Sequence, residues 1–343
     1  MKKITALLLA LMMLAGVLAG CGKPKDTGKA DKLKVVTTIF PAYDWVRAIL
    51  GDKAENAEVT MLLDNGVDLH SYQPTADDIV RISDCDLFVY VGGESDGWVE
   101  NALKNAANRN MKVINLLEVL GDSVKTEETV EGMQEDGHDH GHSHDEHDEE
   151  HDEEHDEAEG HDHGEEKDEH VWLSLKNAQV LCVTIADALC AIDPDNKNTY
   201  IANAAAYRDK LAALDADYKA AVDGATHKTV LFGDRFPFRY LVDDYGLNYY
   251  AAFVGCSAET EASFETVSFL AKKVDELGLP CVLTIEGAQH RIAETIVQNT
   301  AGKKQKVLTM DSMQSTTSKD VANGATYLSV MEKNLSVLKE ALG

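Results

Sequence analysis

Ten of the chain's thirteen histidines lie in one acidic segment, residues 137–170, which reads GHDHGHSHDEHDEEHDEEHDEAEGHDHGEEKDEH. Neutral imidazole and carboxylate groups are both metal ligands, so this composition indicates metal binding. Residues 127–169 contain almost no large apolar side chain, so burial cannot repay the entropy of ordering them. We therefore predict a disordered accessory loop that gathers cations beside a site built elsewhere. Its candidate ligands are His138, His140, His142, His144, His147, His151, His155, His161 and His163.

The alternatives for this segment are a zinc sensor, an acceptor of metal from another protein, and a solvated acidic loop with incidental metal affinity. The segment explains most of the charge of the chain. Residues 127–169 hold 22 Asp and Glu and one Lys, and so account for −21 of the net charge of −28. No basic patch offsets this charge, which argues against nucleic-acid binding.

A structured metal site is predicted where parallel strands end, because ligands of open α/β sheets bind outside the carboxyl ends of the strands. The histidine candidates are His70, which follows a strand predicted at 58–63, and His170, which precedes a long helical pattern. Three carboxylates follow predicted strands in the second half. They are Asp234 after 228–232, Glu286 after 281–285 and Asp311 after 306–309.

Each of these residues also has a simpler interpretation. His70 could be a surface residue and His170 the last member of the acidic segment. Glu286 and Asp311 could cap helices or turns, and Asp234 could pair with a neighbouring arginine. If instead they act together, two histidines of the first half face up to three carboxylates of the second half across a cleft.

The elements that must position these residues alternate along the chain. Short apolar β-rich runs alternate with helical patterns in both halves, which predicts an α/β fold of two lobes with mainly parallel sheets flanked by helices. Predicted strands are 33–39, 58–63, 86–91, 111–116, 228–232, 248–252, 281–285 and 306–309. Between the halves, a helix predicted at 195–223 would span roughly 42 Å, which suits a rigid link between the lobes.

The domain boundaries follow from these patterns. We predict a signal peptide at 1–20, a lipidated tether at 21–31, an N-terminal lobe at 32–173 with a disordered loop at 121–169, a helical segment at 174–225 and a C-terminal lobe at 226–343. The residues LAGC at 18–21 resemble a bacterial lipobox, in which Cys21 is lipidated and anchors the protein to the membrane. For Cys256 and Cys281 the sequence leaves open a disulfide or two free buried thiols.

Four motifs give the mature chain a specific likeness: VVTTIFPAYDWVRAILGD, LHSYQPTADDIVRISDCDLFVYVGG, DEHVWLSLKNA and TYLSVMEKNLSVLKEAL. Together with the acidic histidine-rich insertion, they resemble the zinc/manganese-type substrate-binding lipoproteins of bacterial ABC importers. The resemblance implies two α/β lobes, a rigid linking helix and one metal ion in the interlobe cleft. It also implies an extracytoplasmic, lipid-anchored monomer that delivers metal to a membrane permease.

The resemblance assigns His70, His170 and Asp311 as ligands, with Leu69 and Gln73 at positions where the family has Pro and Glu. The third family ligand, His or Glu, should fall within FGDRFPFRYLVDDYGL, which contains neither. Either Asp234 ligates, or Glu286 substitutes, or water completes the site.

The histidine-rich segment and the resemblance favour Zn²⁺ as the bound ion. Two histidines with two carboxylates would also admit Mn²⁺ or ferrous iron. We predict binding rather than catalysis, since HExxH is absent and no nucleophile–base pair stands out. The different classes left open are a zinc-dependent hydrolase, whose metal would have an open position, and a metal-binding surface adhesin.

Overall fold

The first lobe is an α/β layer built on a four-stranded sheet with the order β2-β1-β3-β4. The pairs β1–β3 and β3–β4 are parallel, and Val35 and Val36 of β1 are buried, as is the run Leu87–Val89 of β3. Its strands are β1 (Leu33–Thr37), β2 (Ala57–Met61), β3 (Leu87–Tyr90) and β4 (Lys112–Asn115). Its helices are α1 (Phe40–Leu50), α2 (Ala76–Asp84), α3 (Val99–Lys104) and α4 (Leu116–Leu120). This is a computed structural model that describes residues 32–134, 166–257, 260–287 and 290–343.

The second lobe repeats the arrangement with the sheet order β6-β5-β7-β8, in which every neighbouring pair is parallel. Parallel strands covered by helices on both faces read as continuous apolar runs, and all five residues of Cys281–Ile285 are buried. The strands are β5 (Thr229–Phe236), β6 (Asn248–Val254), β7 (Cys281–Ile285) and β8 (Lys306–Met310). The helices are α7 (Arg239–Tyr245), α8 (Phe264–Leu277), α9 (Arg291–Asn299), α10 (Ser318–Ala322) and α11 (Tyr327–Leu342). The predicted fold class is confirmed.

Two long helices, α5 (Leu175–Ile192) and α6 (Lys197–Asp223), connect the lobes. The α6 helix has 27 residues, close to the predicted length. Near its start, Asn203 Nδ2 donates to Ile49 O of α1 at 2.9 Å, and near its end Tyr218 OH donates to Met331 O of α11 at 2.7 Å. One continuous helix is therefore fastened to both lobes, as expected of a rigid link.

The α5 helix is long and apolar enough to cross a membrane by composition alone. Nine of its residues are buried, and it packs against α6 and α1. Its apolar character therefore has an explanation within the fold.

Three boundaries differ from the predictions. The strand predicted at 228–232 continues to Phe236, so Asp234 lies within β5 rather than after it. The helical pattern at 321–341 predicts a single helix, but the structure divides it, because Gly324 has φ +97° and Thr326 forms a capping box that starts α11.

The third difference concerns the predicted disordered loop 121–169, whose two ends are ordered. Thr126 bridges to Lys167, and Gln134 N donates to Ala252 O of β6 at 2.9 Å. The two ends of the loop thus pair with each other, and the first end also packs against the second lobe through contacts between residues distant in sequence. Residues 135–165, which include the nine candidate histidines of the loop, lie outside the described residues, as do the predicted signal peptide and Cys21.

The cysteines of the described residues are all free thiols: Cys85, Cys182, Cys190, Cys256 and Cys281. Of the two alternatives left open for Cys256 and Cys281, the structure therefore shows free thiols. Four of the five are buried, and Cys256 is partly exposed.

Candidate metal centre

The structure brings His70 and His170 together, with their Nε2 atoms 3.2 Å apart. His70 belongs to a short 3₁₀ turn, Leu69–Ser71, which follows β2. The Asp68 side chain starts this turn by accepting a hydrogen bond from His70 N at 3.0 Å. His170 immediately precedes a second 3₁₀ turn, Val171–Leu173, which leads into α5. Two residues that are 100 positions apart in the sequence are therefore in direct contact.

The other ring nitrogen of each histidine faces oxygen atoms. His70 Nδ1 lies 2.8 Å from Ser95 Oγ and 3.5 Å from a carboxylate oxygen of Glu169. His170 Nδ1 lies 3.0 Å from Asp168 Oδ1. A carboxylate partner favours the tautomer with the proton on Nδ1, which leaves the Nε2 lone pair free. Two lone pairs that face each other repel, and either a proton or a metal ion between the nitrogens relieves this repulsion.

This spacing matches the requirements of a tetrahedral metal ion. Zn–N distances of roughly 2.0–2.1 Å at a tetrahedral angle place two ligand nitrogens about 3.3 Å apart. The surroundings also suit a cation, because Asp168 and Glu169 are buried with 2% of their surface exposed. One oxygen of Glu169, Oε2, has no hydrogen-bond partner in the described structure. The residues present therefore fit a divalent metal.

The two histidines differ in their affinity for a proton. Burial, and then the charge of His170, lower the pKa of His70 to about 3. Burial also opposes charge on His170, but the charge and hydrogen bond of Asp168 outweigh it and raise the pKa of His170. Of the two rings, that of His170 therefore has the higher affinity for a proton.

Cys256 is a third potential ligand at this point, and the sequence analysis missed it. Ligand atoms of His70, His170 and Cys256 all lie within 4.8 Å of one another, and among the described residues this is the one group of three or more His, Cys, Asp or Glu side chains so arranged. The signal was available, since Cys256 follows the end of β6 by two residues, as the strand-end rule requires.

The predicted carboxylate ligands do not belong to this group. Asp234 Oδ2 accepts hydrogen bonds from Thr284 Oγ1 at 2.6 Å and Ile285 N at 3.2 Å. Glu286 accepts from Ser312 N and from Ser312 Oγ, both at 2.7 Å. These two carboxylates are engaged in holding strand ends and loops of the second lobe.

Asp311 accepts a hydrogen bond from Met313 N at 2.8 Å and, with Glu286, lines a separate cleft. Burial and the charge of Glu286 raise the pKa of Asp311 to about 6. The residue after Asp311 contacts the turn that follows His170, because Trp172 Nε1 donates to Ser312 O at 2.8 Å. Asp311 is thus linked to the first lobe through the backbone rather than through its carboxylate.

Arg235 lies in the stretch where the family resemblance called for a third ligand. Its guanidinium forms an ion pair with Asp68, which joins β5 of the second lobe to the turn that carries His70. Arg235 also contributes to lowering the pKa of His70. A cation therefore occupies the side of the site at which a ligand was expected.

Comparison with known proteins identifies relatives of this chain. Residues 35–341 match the family model described as ZnuA, zinc-uptake complex component A, periplasmic. The chain is 35% identical over 99% of its length to the zinc-binding lipoprotein AdcA of Streptococcus pneumoniae, of which it spans 61%. It is 30% identical over 95% of its length to the high-affinity zinc uptake system protein ZnuA of Bacillus subtilis, of which it spans 94%.

Among solved structures, the Zn(II)-bound ZnuA-like domain of S. pneumoniae AdcA matches 91% of this chain and 99% of that domain, with 30% identity and a TM-score of 0.67. The match of fold and sequence extends over both lobes and the helices between them. The chain belongs to the ZnuA family of zinc-uptake components.

Proposed function

We propose that this protein is an extracytoplasmic receptor that captures Zn²⁺ between its lobes and delivers it to the permease of an ABC importer. The single observation that carries the proposal is the pair of Nε2 atoms 3.2 Å apart, each ring backed by a carboxylate. The names of the relatives, a zinc-binding lipoprotein and a zinc uptake protein, support zinc as the ion.

Capture is proposed to proceed by exchange of a proton for the metal. The ion binds Nε2 of both histidines and displaces any proton that an Nε2 atom holds. The carboxylates of Asp168 and Glu169 then balance the charge of the ion through the two rings. Binding is coordination by prepared ligands and requires no chemical turnover, which supports a receptor rather than a hydrolase.

Release is proposed to depend on a small change between the lobes. The α6 helix is fastened to α1 and α11, which disfavours a wide hinge motion. Arg235 of the second lobe is ion-paired with Asp68 beside His70, so a shift of about an ångström between the lobes would move the turn that carries His70 and spoil tetrahedral geometry. A permease that separates the two lobes slightly would therefore release the ion.

Anchoring and supply complete the proposal. Lipidated Cys21 would hold the receptor, as a monomer, at the outer face of the cell membrane. The histidines of the acidic segment would raise the local concentration of cations near the site. The proposed ligand set leaves out Asp234, Glu286 and Asp311, because their carboxylates accept hydrogen bonds within the second lobe.

The test is a competition titration of Zn²⁺ against a fluorescent chelator, with wild-type protein, His170→Ala and the control His227→Ala. His227 packs in space against the C-terminal end of the chain, because its backbone N donates to Leu342 O. We expect one tight site in the wild type and the control, and its loss in His170→Ala. Equal tight binding by His170→Ala would refute the proposed site.

A further inference from the structure

We propose that the thiolate of Cys256 is the third protein ligand, which makes the centre a His₂Cys site that draws on both lobes. This inference rests on the proposed function, since it names a ligand of the same ion. It replaces the oxygen ligands that the sequence analysis expected from the second lobe with one sulfur. It also explains how the site can have three protein ligands although the stretch that contains Arg235 has no His or Glu.

The first argument is position. Cys256 Sγ belongs to the group of ligand atoms that lie within 4.8 Å of one another. Tetrahedral zinc with Zn–N and Zn–S distances of roughly 2.0–2.1 and 2.3 Å places nitrogen and sulfur about 3.6 Å apart. An inward movement of the thiol by about 1 Å therefore completes the geometry. That distance is within the reach of a side-chain rotation.

The second argument is that the backbone around Cys256 is shaped for this approach. A Cβ on Gly255 would lie 3.0 Å from His170 Cε1 and 2.9 Å from Phe236 O, so glycine is what allows the chain to pass so close to the imidazole. Cys256, the next residue, is held in place because its backbone N donates to Glu127 Oε1 at 3.0 Å. The turn after β6 is thus held against the ring of His170.

The third argument is the contrast with the other cysteines. Cys85, Cys182, Cys190 and Cys281 are buried, mostly within helices and strands, and lie outside the histidine group. Cys256 is partly exposed and is the one described cysteine in that group. Burial and the charge of Glu127 raise the pKa of its thiol.

A sulfur ligand has a consequence for selectivity. Thiolate is a soft ligand that favours zinc, whereas carboxylate and water suit manganese. The His₂Cys site therefore discriminates against Mn²⁺ more strongly than a site of two histidines and two carboxylates would. Replacing Cys256 with Asp should restore the oxygen ligand and reduce the preference for Zn²⁺ over Mn²⁺ by at least tenfold.

The experiment loads the full chain with one equivalent of Co²⁺ and records its absorption spectrum. A sulfur ligand gives an intense near-ultraviolet charge-transfer band that nitrogen and oxygen ligands do not give. We compare wild type, Cys256→Ser, Cys256→Asp and the control Cys190→Ser, whose Sγ contacts Lys197 O in the interlobe helices. We expect the band in wild type and Cys190→Ser and its loss in both Cys256 variants.

A second readout does not depend on the folding of a variant. Wild-type protein is alkylated with and without one equivalent of Zn²⁺, and modified peptides are identified by mass spectrometry. Zinc should protect Cys256 at least tenfold, with no change at the four buried cysteines. The inference is overturned if the cobalt protein lacks the band, if Cys256→Ser keeps it, or if zinc leaves the alkylation of Cys256 unchanged.

Failure of this inference is distinguishable from failure of the proposed function. If the thiol readouts are negative while His170→Ala still abolishes tight zinc binding, the receptor stands and Cys256 is not a ligand. If His170→Ala leaves tight binding intact, both proposals fail.

Discussion

Arg235 of the second lobe is ion-paired with Asp68 of the first lobe, directly before the turn that carries His70. The pair neutralises a carboxylate that would otherwise face an incoming cation. It also places a positive charge close enough to His70 to lower the pKa of that histidine. The lobes are thus joined beside the metal centre by a contact that weakens the attraction for the metal.

The first prediction follows from this charge. Arg235→Gln should bind Zn²⁺ more tightly, by about tenfold, because it removes a cation and leaves the Asp68 carboxylate unpaired beside the site. Arg291→Gln is the matched control, since Arg291 lines one cleft together with Arg235 and Asp68, is exposed and has no ion pair in the described structure. Competition titration measures both. Weaker zinc binding by Arg235→Gln than by Arg291→Gln would show that the pair supports the site.

The second prediction concerns the carboxylate behind His170. Asp168→Asn keeps an oxygen acceptor for the 3.0 Å contact with Nδ1 but loses its negative charge. Loss of such a partner of a ligating histidine typically costs 10–100-fold in metal affinity, and we expect that range here. Glu166→Gln, an exposed acidic neighbour, serves as control and should bind like wild type. An unchanged affinity in Asp168→Asn would mean that Asp168 does not orient His170.

The third prediction concerns the turn after β6. Gly255→Ala should lower zinc affinity about tenfold, because the new methyl group would contact His170 Cε1 and Phe236 O. Gly224→Ala, at the end of α6, meets its nearest atom at an ordinary 3.5 Å and is the control. If Gly255→Ala binds zinc as well as Gly224→Ala does, the close approach of this turn is not required.

The fourth prediction is a pH dependence of stability that arises from Asp96. Burial, partly offset by hydrogen bonds from Gly92 N and Val91 N, and the charge of Glu169 raise the pKa of Asp96 to about 7 in the folded protein. The unfolded chain has the ordinary value near 3.8. The folded state therefore binds the proton more tightly, and this contribution to stability is complete below about pH 4 and lost as the pH rises through 7. Integrated over the shift, the loss is on the order of 4 kcal/mol.

Asp96→Asn tests this account, since an amide stays neutral at every pH. In metal-free protein, urea unfolding at pH 5 and pH 8 should show a smaller difference in unfolding free energy for Asp96→Asn than for wild type. The exposed Asp52→Asn should behave like wild type. An equal difference in all three proteins would exclude Asp96 as the source.

The sequence was sufficient for the fold because the signals are local. Apolar runs such as Cys281–Ile285 are bounded by turns, and an uninterrupted helical pattern extends to Asp223. The boundaries that failed depend on contacts between distant segments. Asp234 lies inside β5 because the strand resumes pairing with β6 beyond a register shift between Phe232 and Arg235.

The site was predictable only in part, for a similar reason. The motifs pointed to His70 and His170, and the structure brings these two together. Cys256 was considered only as a disulfide partner or a buried thiol, because the rule that ligands follow strand ends was applied to histidines and carboxylates and not to cysteines. The ordered residues 125–134 were missed because their partners, Tyr240, Tyr249 and Ala252, lie more than a hundred positions away.

The central claim is that the ion is held by His70 and His170 and not by the acidic histidine-rich segment. The most direct test is a competitive Zn²⁺ titration of the protein lacking residues 135–165, with and without His70→Ala. We predict that the shortened protein keeps one tight site and that His70→Ala abolishes it. Loss of tight binding on removal of the segment alone, with His70 intact, would contradict the account and make that segment the metal site.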